Sequence, residues 1–338
     1  VTRVETRTVL AEHTTLRLGG PAREFVVAET TSELVSAVRA AGGEVLLLGG
    51  GSNLVVADEG FAGTVIKVAT RGWRIDGSEV CVAAGQNWDE FVAGMVDAGF
   101  GGLECLSGIP GSVGATPIQN VGAYGCEVAD LLTSIECFDR AAGEVRTMTA
   151  DELGFAYRTS VLKGSDDRIV LNVRFALHED GLSAPIRYAE LARKLGVEPG
   201  ERVPAAVARE AVLELRRGKG MVLDPRDHDT WSAGSFFTNP IVTPETVDRM
   251  PADAPRYPAN GGVKLSAAWL IQHAGFPKGY SGPGGRVSLS AKHTLALTNR
   301  GSATTADLLA LAREIRDGVH ARFGVSLVPE PLLINCAL

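Results

Sequence analysis

The stretch Gly108-Ile109-Pro110-Gly111-Ser112-Val113-Gly114-Ala115-Thr116-Pro117-Ile118-Gln119-Asn120-Val121-Gly122-Ala123-Tyr124-Gly125 decides how the rest of the chain is read. Its eighteen residues hold five glycines, two prolines and no charged side chain. Glycine weakens helices and strands and proline removes a backbone donor, so the main chain itself is the working part. Closely approaching N–H groups make a concave anion site, which suits a phosphate or cofactor. A tight loop buried beneath a core would use the same composition, and this stretch alone leaves both readings open.

Working outward on the N-terminal side, the strand Val45–Leu48 runs straight into Gly49-Gly50-Gly51-Ser52-Asn53 and on to Leu54–Val56. This strand, glycine turn and strand lacks the Gly-x-Gly-x-x-Gly spacing and following helix of a dinucleotide-binding Rossmann unit. The cap-like Thr31 starts a helix to Ala41, and Asn87 with Glu90 caps another that ends at Gly99. Between them lie short strands at Thr64–Val68 and Val80–Ala83. Beyond the glycine loop, Ser134–Phe138 and Glu144–Thr147 form a hairpin, Thr149 and Glu152 cap a short turn, and Arg168–Leu177 is a strand. Pro185–Gly196 is a loop and short helix carrying Tyr188, followed by a helix over Pro204–Arg217. The run Arg216-Arg217-Gly218-Lys219-Gly220 reads as a boundary. In the last third, Lys264–Ala274 and Thr304–Phe323 are helices stopped by Gly275 and Gly324, Val287–Leu289 and Thr294–Thr298 are strands, and Ser326–Val328 is the final strand signal.

A length of 338 residues calls for two or three domains. Hydrophobic content of 45%, charged content of 22% and 40 glycines describe a globular protein rich in turns. The net charge of −7, with no basic stripe, argues against nucleic acid as a main partner. An anionic substrate then needs a local cluster of Lys and Arg. The five cysteines, Cys81, Cys105, Cys126, Cys137 and Cys336, show neither Cys-x-x-Cys nor zinc spacing and read as reduced thiols, with no metal expected. No apolar h-region opens the sequence and no uncharged apolar run is long enough for a bilayer, so a cytoplasmic protein without membrane association is expected.

Three further residues invite chemistry. Ser235, between Gly234 and the pair Phe236-Phe237, is either a surface hydroxyl or one held in a dry site where proton delivery is controlled. Glu330, between Pro329 and Pro331, is a turn glutamate or a carboxylate aimed by two restricted neighbours. Arg158, beside Tyr157, is a surface ion-pair partner or a bidentate clamp for a carboxylate or phosphate. Ser112 is not a nucleophile elbow, because Pro110 stands where Gly-x-Ser-x-Gly needs its first glycine.

Together, Leu48–Leu54, Gly108–Glu127, Tyr157-Arg158-Thr159-Ser160, Ala233–Pro240 and Glu330-Pro331 resemble, in order, the motifs of the UDP-N-acetylenolpyruvoylglucosamine reductase family of peptidoglycan precursor synthesis. The resemblance implies an α+β flavoprotein of three domains, with a two-domain FAD-binding fold of the vanillyl-alcohol-oxidase type and a C-terminal α+β substrate domain. The implied boundaries are 1–69 plus 328–338, 70–217, and 218–327. Non-covalent FAD would be bound by Gly49, Gly50, Gly51, Ser52, Asn53, Gly111, Ser112, Gly114, Asn120, Gly122 and Gly125, and NADPH would be the reductant. Ser235 matches the family's proton donor, and Arg158 and Glu330 match the residues that stabilise the enolate-like intermediate. Tyr157, Tyr188, Lys219, Asn239, Lys278 and His293 fall at substrate-binding positions for UDP-N-acetylglucosamine enolpyruvate. A monomer is expected. Two rivals are an FAD oxidase of the same fold, marked by oxygen consumption, and a non-catalytic nucleotide-binding protein, marked by absence of flavin colour.

Overall fold

The computed structural model describes residues 4–338. It is a mixed α+β protein whose chain divides into two compact units, with Thr8–Ala22 and Gly51–Phe61 joining Lys219–Leu338 in the second. The first unit takes the described residues from Val4 to Arg7, Arg23–Gly50 and Ala62–Gly218.

In the first unit a four-stranded sheet has the order Val4–Thr6, Ala22–Ala28, Phe61–Val68, Val45–Leu48, the last two parallel. Helix Thr31–Ala40 begins in a full capping box, Thr30 with Glu33, and buries Leu34 and Val38 against Val26, Ala28 and Ile66. A second sheet is antiparallel throughout, in the order Glu144–Thr149, Leu132–Asp139, Arg168–Ala176, Glu79–Ala83, Trp73–Asp76. Alternation along Arg168–Ala176 turns Val173 and Phe175 to a core shared with Trp88 and Phe91 of helix Trp88–Asp97 and Val212 of helix Ala205–Gly218. The rings of Trp88, Phe91 and Phe175, edge-on or tilted with centroids 5.7–6.0 Å apart, share this core with Val113 of the long glycine loop.

The second unit is built on helix Thr305–Phe323, which runs from the Thr304–Asp307 capping box to the left-handed Gly324. Its Leu308, Leu311, Ala312, Ile315 and Val319 share a core with Leu270 and Ile271 of helix Ala267–His273 and with the hairpin Val287–Leu289/Leu297–Asn299. Strand Leu332–Ile334 lies parallel to Leu54–Val56. Among the described residues no helix is long and apolar enough to cross a membrane.

Three expectations need correction here. Residues Lys264 and Leu265 are not helical but end a strand, Gly262–Leu265, in a three-stranded sheet with Ile241–Val242 and Arg256–Ala259; the helix starts at Ala267, where Ser266 accepts from Trp269 N–H. The sheet's hairpin turns at Asn260-Gly261, a strong turn signal masked by the surrounding prolines. The strand expected at Thr294–Thr298 is Leu297–Asn299, because His293 C=O accepts from Ala296 N–H in a turn. Ser326–Val328 is not a strand either; the C-terminal strand begins at Leu332, after the second proline.

Candidate active site

In the first unit the two glycine turns are pressed together. A Cβ at Gly49 would overlap Ser112 Oγ, and one at Gly50 would stand 2.5 Å from Gly111 Cα. A Cβ at Gly114 would come 2.5 Å from Ala84 Cβ, where Gly114 N–H donates to Ala84 C=O at 2.8 Å. Only residues without side chains permit this approach, so the wall is bare main chain. Ser112 is buried at 6% exposure and begins the short turn Val113–Ala115. Such a wall fits the diphosphate of a dinucleotide, which needs N–H groups at close range and no competing carboxylate.

The loop is anchored at its start. Asp89 takes a bidentate pair from Arg209, at 2.6 and 3.0 Å, and accepts from Gly108 N–H at 2.6 Å. Burial alone would raise the Asp89 carboxyl, but these donors outweigh it and hold it below the usual value. Its contribution to stability is therefore present above the unfolded carboxylate range, about 3.9, and lost as pH falls through the lower folded value. Asp89→Asn should thus cost stability at pH 7 and progressively less toward about pH 3. Denaturant unfolding at both pH values measures this, and a pH-independent difference would refute it.

Lys67, at the end of its strand, donates its ammonium to Gly49 C=O. Burial, and then the neighbouring Arg71 charge, lower its pKa. Sequence reading passed over Lys67; the usable signal was a lysine closing the apolar run Thr64–Ile66.

The far end of the loop is organised by Asn120 and Glu127. Asn120 has a left-handed φ of 48° and is 1% exposed. Its amide donates to Glu127 at 2.7 Å and to Ala156 C=O at 3.3 Å, and its Oδ1 accepts from Ala129 N–H. Arg158, also left-handed at φ 53°, donates to Gly122 C=O at 2.7 Å and Asn120 C=O at 3.3 Å, lies 3.5 Å from Glu127, and stacks 5.1 Å over Tyr157. A Cβ on Gly122 would sit 2.9 Å from this guanidinium, so Gly122 makes the room for it. The structure thus joins Asn120, Gly122, Tyr157 and Arg158 in one cluster and adds Glu127. At Gly125 a Cβ would meet Arg187 at 3.2 Å, and the half-exposed Tyr188 packs edge-on to Tyr124 at 5.5 Å.

The second unit carries Gly51, Ser52 and Asn53. Gly51, at φ 63°, lies against His13 C=O and accepts from Thr15 N–H, while Asn53 C=O accepts from Leu332 N–H at 2.9 Å. Phe236 and Phe237 are each 1% exposed and packed edge to face at 5.1 Å. They root the chain directly after the half-buried Ser235. Phe236 N–H donates to Leu295 C=O at 2.7 Å, its C=O accepts from Glu330 N–H at 2.8 Å, and Phe237 bridges Pro329. The Ser235 and Glu330 segments therefore lie side by side. Ser235 Oγ stands 3.5 Å from His293 Nε2. Asn239 Oδ1 accepts from Ala267 N–H at 2.9 Å. Lys219 is half-buried and Lys278 exposed. Among the described residues no cluster of His, Cys, Asp and Glu could hold a metal ion.

Comparison with known proteins gives this geometry a family. Residues 22–149 match the FAD binding domain model, and residues 224–334 match the model of the UDP-N-acetylenolpyruvoylglucosamine reductase C-terminal domain. The chain is 63% identical to the UDP-N-acetylenolpyruvoylglucosamine reductase of Saccharopolyspora erythraea, over 97% of this chain and 95% of that one. It is 57% identical to the enzyme of the same name from Streptomyces avermitilis, over 97% and 94%. The solved reductase of Thermus caldophilus superimposes with a TM-score of 0.71 at 30% identity, covering 99% of this chain and all of that one. These matches span both units and every motif described above, and the chain belongs to the UDP-N-acetylenolpyruvoylglucosamine reductase family of FAD-dependent oxidoreductases.

Proposed function

We propose that this chain reduces UDP-N-acetylglucosamine enolpyruvate to UDP-N-acetylmuramate with electrons from NADPH, as a monomer in the bacterial cytoplasm. The observation that carries the reading is the Ser235 hydroxyl rooted on two buried phenylalanines with the Glu330 segment bonded beside it. We assign FAD-binding subdomains to 1–69 plus 328–338 and to 70–217, and the substrate domain to 218–327. The cofactor is held by the backbone of Gly49, Gly50, Gly51, Ser52, Asn53, Gly111, Ser112, Gly114, Asn120, Gly122 and Gly125. Its attachment is non-covalent: Cys126, the thiol nearest the loop, is 5% exposed in the core, and a hydrogen bond between it and the free Cys105 thiol, with burial, raises the Cys105 thiol.

FAD held by these residues would supply the two-electron hydride chemistry that links NADPH to the enolpyruvyl methylene carbon. The protein handles the charge and the proton. As hydride arrives, negative charge grows toward the substrate carboxylate, and Arg158, already fixed by two carbonyls, is a pre-oriented cation for it. A protonated Glu330 donates a hydrogen bond to the same developing charge. Ser235 then protonates the adjacent carbon. Tyr157, Tyr188, Lys219, Asn239, Lys278 and His293 hold the UDP-sugar, the lysines providing the local positive charge that an acidic chain needs.

The test is an anaerobic absorbance titration of the purified protein. NADPH should bleach the flavin, and UDP-N-acetylglucosamine enolpyruvate should restore its colour stoichiometrically. Bleaching without recovery would make the substrate assignment wrong.

A further inference from the structure

Asp229 is 5% exposed, and its carboxylate is bonded to the segment from Ser290 to Arg300. Its Oδ2 accepts from Ser290 Oγ–H at 2.8 Å; its Oδ1 accepts from Ala291 N–H at 3.0 Å and from Arg300 at 3.1 Å. Ser290 Oγ in turn accepts from Lys292 N–H and His293 N–H, both at 3.0 Å. Lys292 is tied separately, its ammonium 2.6 Å from Asp227. The turn is also held from below, where Ser290 N–H donates to Ala296 C=O and Ser290 C=O accepts from Gly279 N–H. At its tip stands His293, with Nε2 3.5 Å from Ser235 Oγ.

A carboxylate removed from water is retained only where its partners compensate it, and here those partners fix one turn. We propose that Asp229 is a positioning residue for Ser235, acting through Ser290 to present His293 Nε2 to the serine hydroxyl. The inference rests on the reading of Ser235 as proton donor. In that step the Oγ–H bond breaks, the carbanion's electron pair takes the proton to form the new C–H bond, and the negative charge passes to Oγ. A serine is a weak acid, so the alkoxide needs a donor. His293 in its Nε2–H tautomer supplies one, and by occupying an Oγ lone pair leaves the hydroxyl proton free to point at the substrate carbon. Correct aim depends on the turn, and so on Asp229.

The test compares Asp229→Asn, His293→Asn and the double variant, each reduced with stoichiometric NADPH and then mixed with saturating enolpyruvyl substrate. Asp229→Asn should slow flavin reoxidation about tenfold, as small misplacements of a reacting group do, while leaving the rate of reduction by NADPH within about twofold. The double variant should be no slower than His293→Asn alone, because Asp229 acts through that residue. Additive slowing, or wild-type reoxidation in Asp229→Asn, overturns the proposal. Ser290→Ala cuts the same link while keeping the Asp229 bonds to Ala291 and Arg300; it should reproduce the signature and serves if Asp229→Asn does not fold. Wild-type reoxidation in Ser235→Ala would remove the proton-donor reading itself. Slow Ser235→Ala with wild-type Asp229→Asn and Ser290→Ala would remove only the present inference.

Discussion

Replacing Ser235 with alanine should leave flavin content and NADPH oxidation unchanged and slow reoxidation by the enolpyruvyl substrate by about 100- to 10,000-fold, the range for removal of a general acid. The substitution deletes one oxygen. The backbone bonds of Phe236 to Leu295 and Glu330, and the buried pair Phe236/Phe237, do not involve it. Stability and substrate affinity should consequently stay close to wild type, so the loss falls on the chemical step rather than on binding. Stopped-flow absorbance of the pre-reduced flavin separates the two half-reactions. Reoxidation within about twofold of wild type would take Ser235 out of the mechanism.

The second large effect is expected at Gly50. Its φ is not left-handed, so the backbone would accept a side chain; the objection is space, since a Cβ would lie 2.5 Å from Gly111 Cα and 3.0 Å from its carbonyl carbon. Backbone cannot swing aside as a side-chain tip can. Gly50→Val should therefore push the two glycine turns apart, costing about 1–3 kcal/mol as overpacking does. It should also abolish flavin retention, because the anion wall depends on both turns. Flavin absorbance per polypeptide after gel filtration, with the thermal midpoint, reads both effects. Gly218→Ala is the control: no atom lies within 4 Å of its Cβ and its φ is ordinary, so it should retain full flavin. Full occupancy in Gly50→Val would show that the apposition does not matter for the cofactor.

Much of the fold was legible because the signals were local. The helix over Thr31–Ala40, the Asn87 cap, the hairpin after Leu132, the Thr149–Glu152 box and the Thr305–Phe323 helix with its Gly324 stop each rest on bonds spanning a few residues. The errors arose where local signals competed. Apolar Leu265–Ile271 fits a helical face as well as a strand followed by a capped helix, and strand pairing with Arg256–Ala259 decided it.

For the site, the sequence by itself determined which segments are bare main chain and which family the ordered motifs resemble. Only tertiary structure decided what those segments touch: Gly50 against Gly111, Lys67 on Gly49 C=O, Arg158 on Gly122 C=O, Glu330 on Phe236, and Asp229 on Ser290. Residues 229 and 290 lie far apart in the chain, and an aspartate among polar neighbours reads as solvated surface in any local window. Its burial, and the bonds that burial requires, follow from long-range packing that no local pattern encodes.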